Sequence, residues 1–506
     1  MKLNRKTYLD KVRACFIGKN IGGTIGGPTE GQRAILDIKG FSTGEGEIIP
    51  NDDLDLQLIW LRALETQGPS HISSETLGEY WLNFIPPSWG EYGIAKANMK
   101  QGLNPEIAGS SAFNIWSHSN GAWIRSEIWA CTNPLMVDQA VRYAYHDALV
   151  DHGLGEGTTA AAFLAAMESA AFAISDIREL IEIGLSKIDC ESRLAKSVRE
   201  VIRLYEAGSS WVDTRNAIVK MNEDIADGWF QAPSNVAFVI IGLLYGEGDY
   251  KKSLLTAVNC GDDTDCTGAT VGALLGIIKG CEGLPADWVK HIGTRIVTCS
   301  INMGTSSRVP TTIDELVRRV GRMAEICAYY NGNAIYSPVL KGVDVEFVDG
   351  ENEFPPSLFE LLNKPWALDN EQDDIRSLRL TLRKDSFAVH LGAITAVLRY
   401  EDGAKMKPNE SKSIGLTIVN NVKAYGNEPL TAKVKMHLPA GFSTKENAVS
   451  IEVPCWTALS KMAHSEETTL SFMVNEIIEA KASIVIEIEV VEHGKTYYVN
   501  VPFMNR

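Results

Sequence analysis

Gly261-Asp262-Asp263-Thr264-Asp265 stands directly ahead of an apolar helical run, Thr267 to Ile278, and the reading of that stretch decides the reading of the chain. A second acidic stretch, Asn51-Asp52-Asp53, holds the same position ahead of Leu54 to Leu64. Carboxylates and a side-chain amide are hard oxygen donors, the kind that Mg²⁺, Mn²⁺ and Ca²⁺ prefer. Several carboxylates gathered at one point repel one another and raise each other's pKa values unless a cation compensates. Either stretch alone reads more readily as the N-cap of the helix behind it. Two such stretches, 211 positions apart from Asp52 to Asp263, read as the two halves of one divalent-metal site.

Outward from these loops the pattern is helical from about Leu9 to about Tyr330. Leu194, Val198, Val201, Ile202 and Tyr205 fall on one helix face, closed by Gly208. Thr158 to Ile174 is apolar on nearly all sides, which predicts a buried central helix. After about Leu378 the pattern alternates as strands do, in Leu416–Asn420, Ala432–Leu438 and Ile484–Val491, with turns at Pro408-Asn409, Gly426-Asn427, Pro439-Ala440-Gly441 and Gly494. Short strands spaced by turns predict an antiparallel β-sandwich. The expected organisation is an all-α globule over 1–330, a partly folded linker over 331–377 and a β-sandwich over 378–506.

Composition fits this plan. With 506 residues, 45% hydrophobic and 22% charged, the chain has ample core for two or three domains. A net charge of −16 argues against nucleic acid or an anionic membrane as partner. Asp10 interrupts the position where a signal peptide would continue its apolar stretch, and Ala269 to Ile278 is too short to span a bilayer. Nine cysteines without CxxC spacing predict reduced, mostly buried thiols and a cytoplasmic location.

Near the N-terminus runs Gly22-Gly23-Thr24-Ile25-Gly26-Gly27-Pro28-Thr29-Glu30-Gly31, whose glycines let the backbone pass close to a ligand or another helix. Gly22 to Glu30 resembles the Gly-Asp-Ala-x-Gly-x-Pro-x-Glu opening of the ADP-ribosylglycohydrolase family. Asn51-Asp52-Asp53 resembles that family's Thr-Asp-Asp element, and Gly261 to Asp265 its Gly-Gly-Asp-Thr-Asp signature. Asn120-Gly121-Ala122-Trp123-Ile124-Arg125 is similar to its Asn-Gly-x-x-Met-Arg segment, and Asp151-His152-Gly153 to its Thr-His-x segment. The five elements keep the family's order. The β-rich tail lies outside the resemblance.

The resemblance implies an all-α fold with a pair of Mg²⁺ or Mn²⁺ ions in a cleft, and hydrolysis of a bond at C1″ of a ribose. It implies Asn51, Asp52, Asp53, Asp263 and Asp265 as metal ligands, and Glu30 with Asp53 as the groups that orient water or act as acid or base. Asn120, Gly121, Arg125 and His152 become substrate-binding residues. On the residues alone Glu30 reads equally as an exposed carboxylate beside a glycine turn, while Arg125 reads as the partner of Glu127 or another acid and His152 as a structural hydrogen-bonding residue. Trp123 and Trp129 are candidates for stacking on a sugar or base, or for core aromatics. The sequence also departs from the family pattern: Gly23 replaces Asp, Asn51 replaces Thr or Ser, and Cys266 replaces a hydroxyl, for which Thr264 or Thr267 could substitute. The expected activity is a metal-dependent glycoside hydrolase acting on a small-molecule glycoside or an ADP-ribosylated substrate. A glycosidase acting on another carbohydrate and a non-catalytic metal-dependent binding protein are the alternatives, and a homo-oligomer stays open.

Overall fold

The computed structural model describes residues 1–226, 228–302, 309–332, 344–366, 385–420, 429–454 and 465–505. The strand onset near Leu378, the Gly426-Asn427 turn and the stretches 333–343 and 367–377 of the expected linker lie outside them. The chain divides into two compact units, one of Met1–Lys96 and Asn114–Trp366, the other of Ala97–Phe113 and Ala367–Arg506.

The first unit is helical. Its centre is an antiparallel pair, Arg5–Gly26 and Thr264–Lys279, whose backbones touch. Gly18, Gly22 and Gly26, one per turn, face Gly272, Gly268 and Thr264, and Gly276 faces Ala14. A Cβ at Gly22 would lie 2.0 Å from the Gly268 carbonyl oxygen, and one at Gly18 2.1 Å from that of Gly272. Four-residue spacing puts these positions on one helix face, and the missing side chains let the axes approach closer than packed side chains permit. Both helices are buried along nearly their whole contact, as is Glu156–Ala170, the helix read from sequence as central. Arg193–Glu206 buries Leu194, Val198 and Val201 on the expected face. A short parallel pair, Lys2–Asn4 with Glu346–Val348, ties the N-terminus to the segment after the last long helix and was not foreseen.

The second unit carries two antiparallel sheets. One has the order Lys495–Met504, Lys481–Val490, Leu430–His437, Ala448–Val453; the other Ser386–His390, Ile394–Tyr400, Glu410–Asn420, Ser465–Val474, Phe442–Ser443. Leu430–His437 alternates buried and exposed residues, the pattern of a half-buried sheet. Phe503 of the first sheet meets Tyr400 and Phe472 of the second edge-on, with centroids 5.1 and 5.3 Å apart, so the sheets face each other as a sandwich. No described helix is long and apolar enough to cross a membrane.

The helix contact leaves no room for a methyl group. Gly22→Ala gains helix propensity, about 1 kcal/mol, but drives Cβ into backbone atoms that cannot rotate away, an overpacking that costs about 1–3 kcal/mol or more. Net destabilisation is expected in urea unfolding, and a variant as stable as the parent would show that the two backbones can part.

Candidate metal centre

The antiparallel pair brings the end of Arg5–Gly26 beside the start of Thr264–Lys279, so Glu30 arrives next to Asp263 and Asp265. Backbone bonds fix the approach: Gly31 N–H donates to the Asp262 carbonyl and Asp262 N–H to the Gln32 carbonyl, each at 2.8 Å. Asp262 holds a left-handed φ of 68°, unusual for a residue other than glycine. Its carboxylate accepts from Phe230 N at 3.2 Å and from Asn235 Nδ2 at 2.9 Å.

The other acidic loop starts the helix Asp52–Gln67. Neither Asn51 nor Asp263, the N-cap residues of the two helices, makes a side-chain capping bond, so capping is not what these side chains do. Instead they converge. Oxygens of Glu30, Asp263 and Asp265 lie within 4.8 Å of one another, and so do ligand atoms of Asp53, Asp265 and Cys266. Asp53 Oδ2, Asp263 Oδ1 and Asp265 Oδ1 are buried without a hydrogen-bond donor among the described residues. The Lys19 ammonium is 3.5 Å from Asp53 Oδ2 but sits at 2.6 Å from Glu127. Burial drives the Asp263 and Asp265 carboxyls well above the usual range, and the neighbouring acids add to it. Asp53 is pushed up to about 7, burial outweighing Lys19. Orphaned buried carboxylate oxygens on a hard donor set fit Mg²⁺ or Mn²⁺.

A cavity of about 480 Å³ opens onto this cluster, lined by Glu30, Asn51, Asp52, Asn120, Gly121, Asp263 and Asp265, with Trp89, Trp116 and Phe230. Tyr92 OH donates to Asp52 Oδ2 at 2.7 Å and Asn120 Nδ2 to Asp263 Oδ2 at 2.6 Å. Gly121 N–H donates to Glu91 at 3.0 Å, and a side chain there would strike Glu91 and Tyr92.

Arg125 and His152 are placed differently. Both are fully buried and neither lines the cavity. The Arg125 guanidinium bonds Asp147 at 3.0 Å and Asp151 at 2.8 Å, and also donates to the Gly121 carbonyl. It braces the turn that carries Asn120 and Gly121. His152 lies 3.1 Å from Ser119 Oγ and 3.0 Å from Asp151. Burial would raise the Asp151 carboxyl, but Arg125 and His152 hold it below the usual range. Trp123 and Trp129 belong to the core, their indole N–H groups bonded to Asn120 and Asp147.

The departures from the family pattern also find places. A Cβ at Gly23 would lie 2.4 Å from Asn51 Nδ2, so the amide fills the space that a side chain at 23 would need. Thr264 and Thr267 spend their hydroxyls on the carbonyls of Gly26 and Thr264, and neither lines the cavity, which leaves Cys266 there, its thiol 3.4 Å from Asp53 Oδ1. Sequence reading missed Asp55, which holds the Cys299 and Ser300 amides at 2.7 and 2.6 Å, and the buried Lys19–Glu127 pair. Asp55, two positions beyond Asp53 in the same acidic run, carried a signal; Lys19, inside an apolar helix, carried a weaker one.

A family model described as ADP-ribosylglycohydrolase matches residues 4–324. An uncharacterized protein of Archaeoglobus fulgidus is 25% identical over 311 residues, 56% of this chain and 92% of that protein. Among solved structures, an ADP-ribosylglycohydrolase-related protein complex is similar at 17% identity over 64% of this chain and 99% of its own, with a TM-score of 0.43. A FixG-related protein from Vibrio parahaemolyticus, 8% identical, covers 23% of this chain and 99% of its own at a TM-score of 0.17. The family match spans more than half of the chain and takes in the glycine-bearing helix, both acidic loops and the braced turn between them: the chain belongs to the ADP-ribosylglycohydrolase family.

Proposed function

We propose that the protein is a divalent-metal-dependent glycoside hydrolase that cleaves a ribosyl-type bond at C1. The observation that carries this is the set of buried carboxylate oxygens on Asp53, Asp263 and Asp265 that lack donors among the described residues, with Asp263 and Asp265 lining a ligand-sized cavity. Asn51, Asp52, Asp53, Asp263 and Asp265 would hold Mg²⁺ or Mn²⁺, and two overlapping donor sets that share Asp265 suit a pair of ions. Bound there, the ions supply Lewis acidity toward a water and the ribose diol.

The chain's own groups do the rest. Asn120 fixes the rotamer of Asp263, and Tyr92 that of Asp52. Glu30 is the most exposed member of the cluster, and the protein packed around it together with Asp52 raises its carboxyl, which suits it to pass a proton between water and the leaving atom. Water's hydroxyl ends on C1 and its proton on the leaving group. Arg125 and His152 act as positioning residues, through the Asn120-Gly121 turn and Ser119. A metal-dependent binding protein is the second reading, favoured by the soft Cys266 sulfur among hard donors. Metal-dependent turnover of ribosides supports the first reading, and saturable binding without turnover supports the second.

Asp265→Ala removes the carboxylate shared by both donor sets. Its Mn²⁺ affinity by calorimetry should fall by more than about 100-fold, beyond what loss of an outer partner costs, and riboside hydrolysis should vanish as it does with chelator; retained tight binding would remove Asp265 from the site.

Cys266→Thr replaces sulfur by a hydroxyl in the only one of the three positions that lines the cavity. Mg²⁺ should bind more tightly to this variant, with a smaller gain for softer Zn²⁺ or Cd²⁺. Equal affinity for Mg²⁺ in both proteins would mean that residue 266 contributes no donor.

The folded, metal-free protein binds a proton at Asp53 up to about pH 7, whereas the unfolded chain releases it near its ordinary pKa of about 3.9. This raised pKa contributes stability that is complete below about pH 4 and is lost as pH rises through about 7. Mg²⁺ replaces the proton, so the increase in Tm on adding Mg²⁺ should be larger at about pH 7.5 than at about pH 5.5, and Asp53→Asn should flatten that difference. An increment independent of pH would count against Asp53 as a ligand.

A further inference from the structure

We propose that the groove between Arg5–Gly26 and Ile313–Gly332 binds a small phosphorylated ligand carrying at least two negative charges, at a site separate from the acidic centre. The groove holds a cavity of about 600 Å³. Its apolar lining includes Leu9, Val317 and Gly321, and the helices run close there, since a Cβ at Gly321 would lie 2.6 Å from Leu9 Cδ2. The cavity lies against the first half of Arg5–Gly26, whereas Glu30 follows the far end of that helix. From Leu9 to Gly26 the helix rises about 25 Å. The two cavities share no lining residue.

The charge of this groove runs against that of the chain. In a protein of net charge −16 it is lined by five basic side chains and three acidic ones. The acids are already engaged: Glu325 accepts from Arg5 at 2.8 Å, Asp314 pairs with Arg13, and Asp10 takes the Cys281 amide at 3.0 Å. Lys6, Arg318 and Arg322 remain, each exposed and each without a carboxylate partner among the described residues. Arg318 and Arg322 stand one helical turn apart, a like-charge spacing that destabilises a helix slightly, and Lys6 lines the same cavity from the neighbouring helix. Guanidinium forks match the oxygens of a phosphoryl group two at a time, and an ammonium adds a point charge beside them. The cavity is on the scale of small-ligand sites, and the negative charge of the whole chain disfavours a long polyanion such as nucleic acid. Together these select a small phosphorylated molecule, either an inorganic phosphate or a phosphate ester of a nucleotide.

The test is calorimetric titration of the whole chain with pyrophosphate, ADP, inorganic phosphate, sulfate and adenosine at about 0.15 M salt. It is run with Mg²⁺ and again on protein stripped of metal over a chelating resin, which removes any anion site that ions at the acidic centre would provide. Pyrophosphate and ADP should bind the stripped protein at one site per chain, and adenosine should not. Equal affinity for the two would identify the phosphoryl group alone as the ligand, and tighter binding of ADP a nucleotide; either supports the proposal. Arg318→Gln/Arg322→Gln should weaken pyrophosphate binding by at least ~10-fold, the scale of one charged hydrogen bond, while the Tm of the unliganded protein and its Mn²⁺ affinity stay unchanged. Lys6→Gln should weaken it in the same sense. Absence of saturable binding to the stripped protein would overturn the proposal, as would binding that the double variant leaves intact. Equal, salt-screened affinity for sulfate, phosphate and pyrophosphate would reduce the groove to a solvated basic face and overturn it too. None of these outcomes bears on the hydrolase reading, which rests on other residues.

Discussion

The contact between the backbones of Arg5–Gly26 and Thr264–Lys279 is the constraint from which the site follows. The two helices are some 240 positions apart in sequence, and side chains of ordinary size would hold their axes apart. Glycine at every turn removes that spacer, so the end of one helix and the start of the other meet at backbone distance. The loops attached to those ends then pair through Gly31, Gln32 and Asp262, and the acidic cluster is assembled by main-chain geometry before any side chain contributes. The cluster is itself unfavourable, since burial raises each of these carboxyls and, at Asp53, Asp263 and Asp265, the neighbouring acids raise them further. A rigid glycine-lined scaffold is what holds the loops together against that repulsion.

Around the cluster, charges are distributed in two layers. Outer carboxylates face the cavity, while Lys19, Arg125 and His152 sit behind them, each locked to an acid in the interior. Arg125 spans the side chains of Asp147 and Asp151, one turn apart on Val137–His152, and reaches the carbonyl of Gly121. The turn bearing Asn120 and Gly121 is thereby tied to the interior from two sides, by Arg125 at the Gly121 carbonyl and by the Trp123 indole at Asn120. Removing one partner from such a buried pair leaves an uncompensated charge, which is more costly than the pair's net contribution.

Much of this was legible in the sequence. Asp52, Asp53, Asp263 and Asp265 announced themselves by density of charge at helix starts, and the alternation in Ala432–Leu438 and Ile484–Val491 announced the sheets. The glycines of 22–31 were read as allowing close approach to a ligand or another helix, and the helix is what the structure supplies. Other features had no such signature. Trp89, Trp116 and Phe230 come from irregular segments where no periodicity points a side chain anywhere, so only tertiary structure brings them together. On the residues alone Arg125 reads as the partner of a nearby acid, but that the acids are Asp147 and Asp151 on another helix is settled only by tertiary structure. Lys2–Asn4 is too short, and its partner strand too distant in sequence, for pairing to show in pattern alone.

The apposition of Gly23 and Asn51 bears on how such a site changes over generations. Where the family pattern has Asp at the first position and a small hydroxyl residue at the second, this chain has exchanged the bulk between the two walls, and one space holds one side chain in either arrangement. The two positions are therefore coupled: a side chain restored at 23 would compete with the Asn51 amide for one space, and the amide, the far end of a flexible side chain, would have to turn away from its place at the mouth of the acidic loop, so the effect of a change at either position depends on the residue at the other.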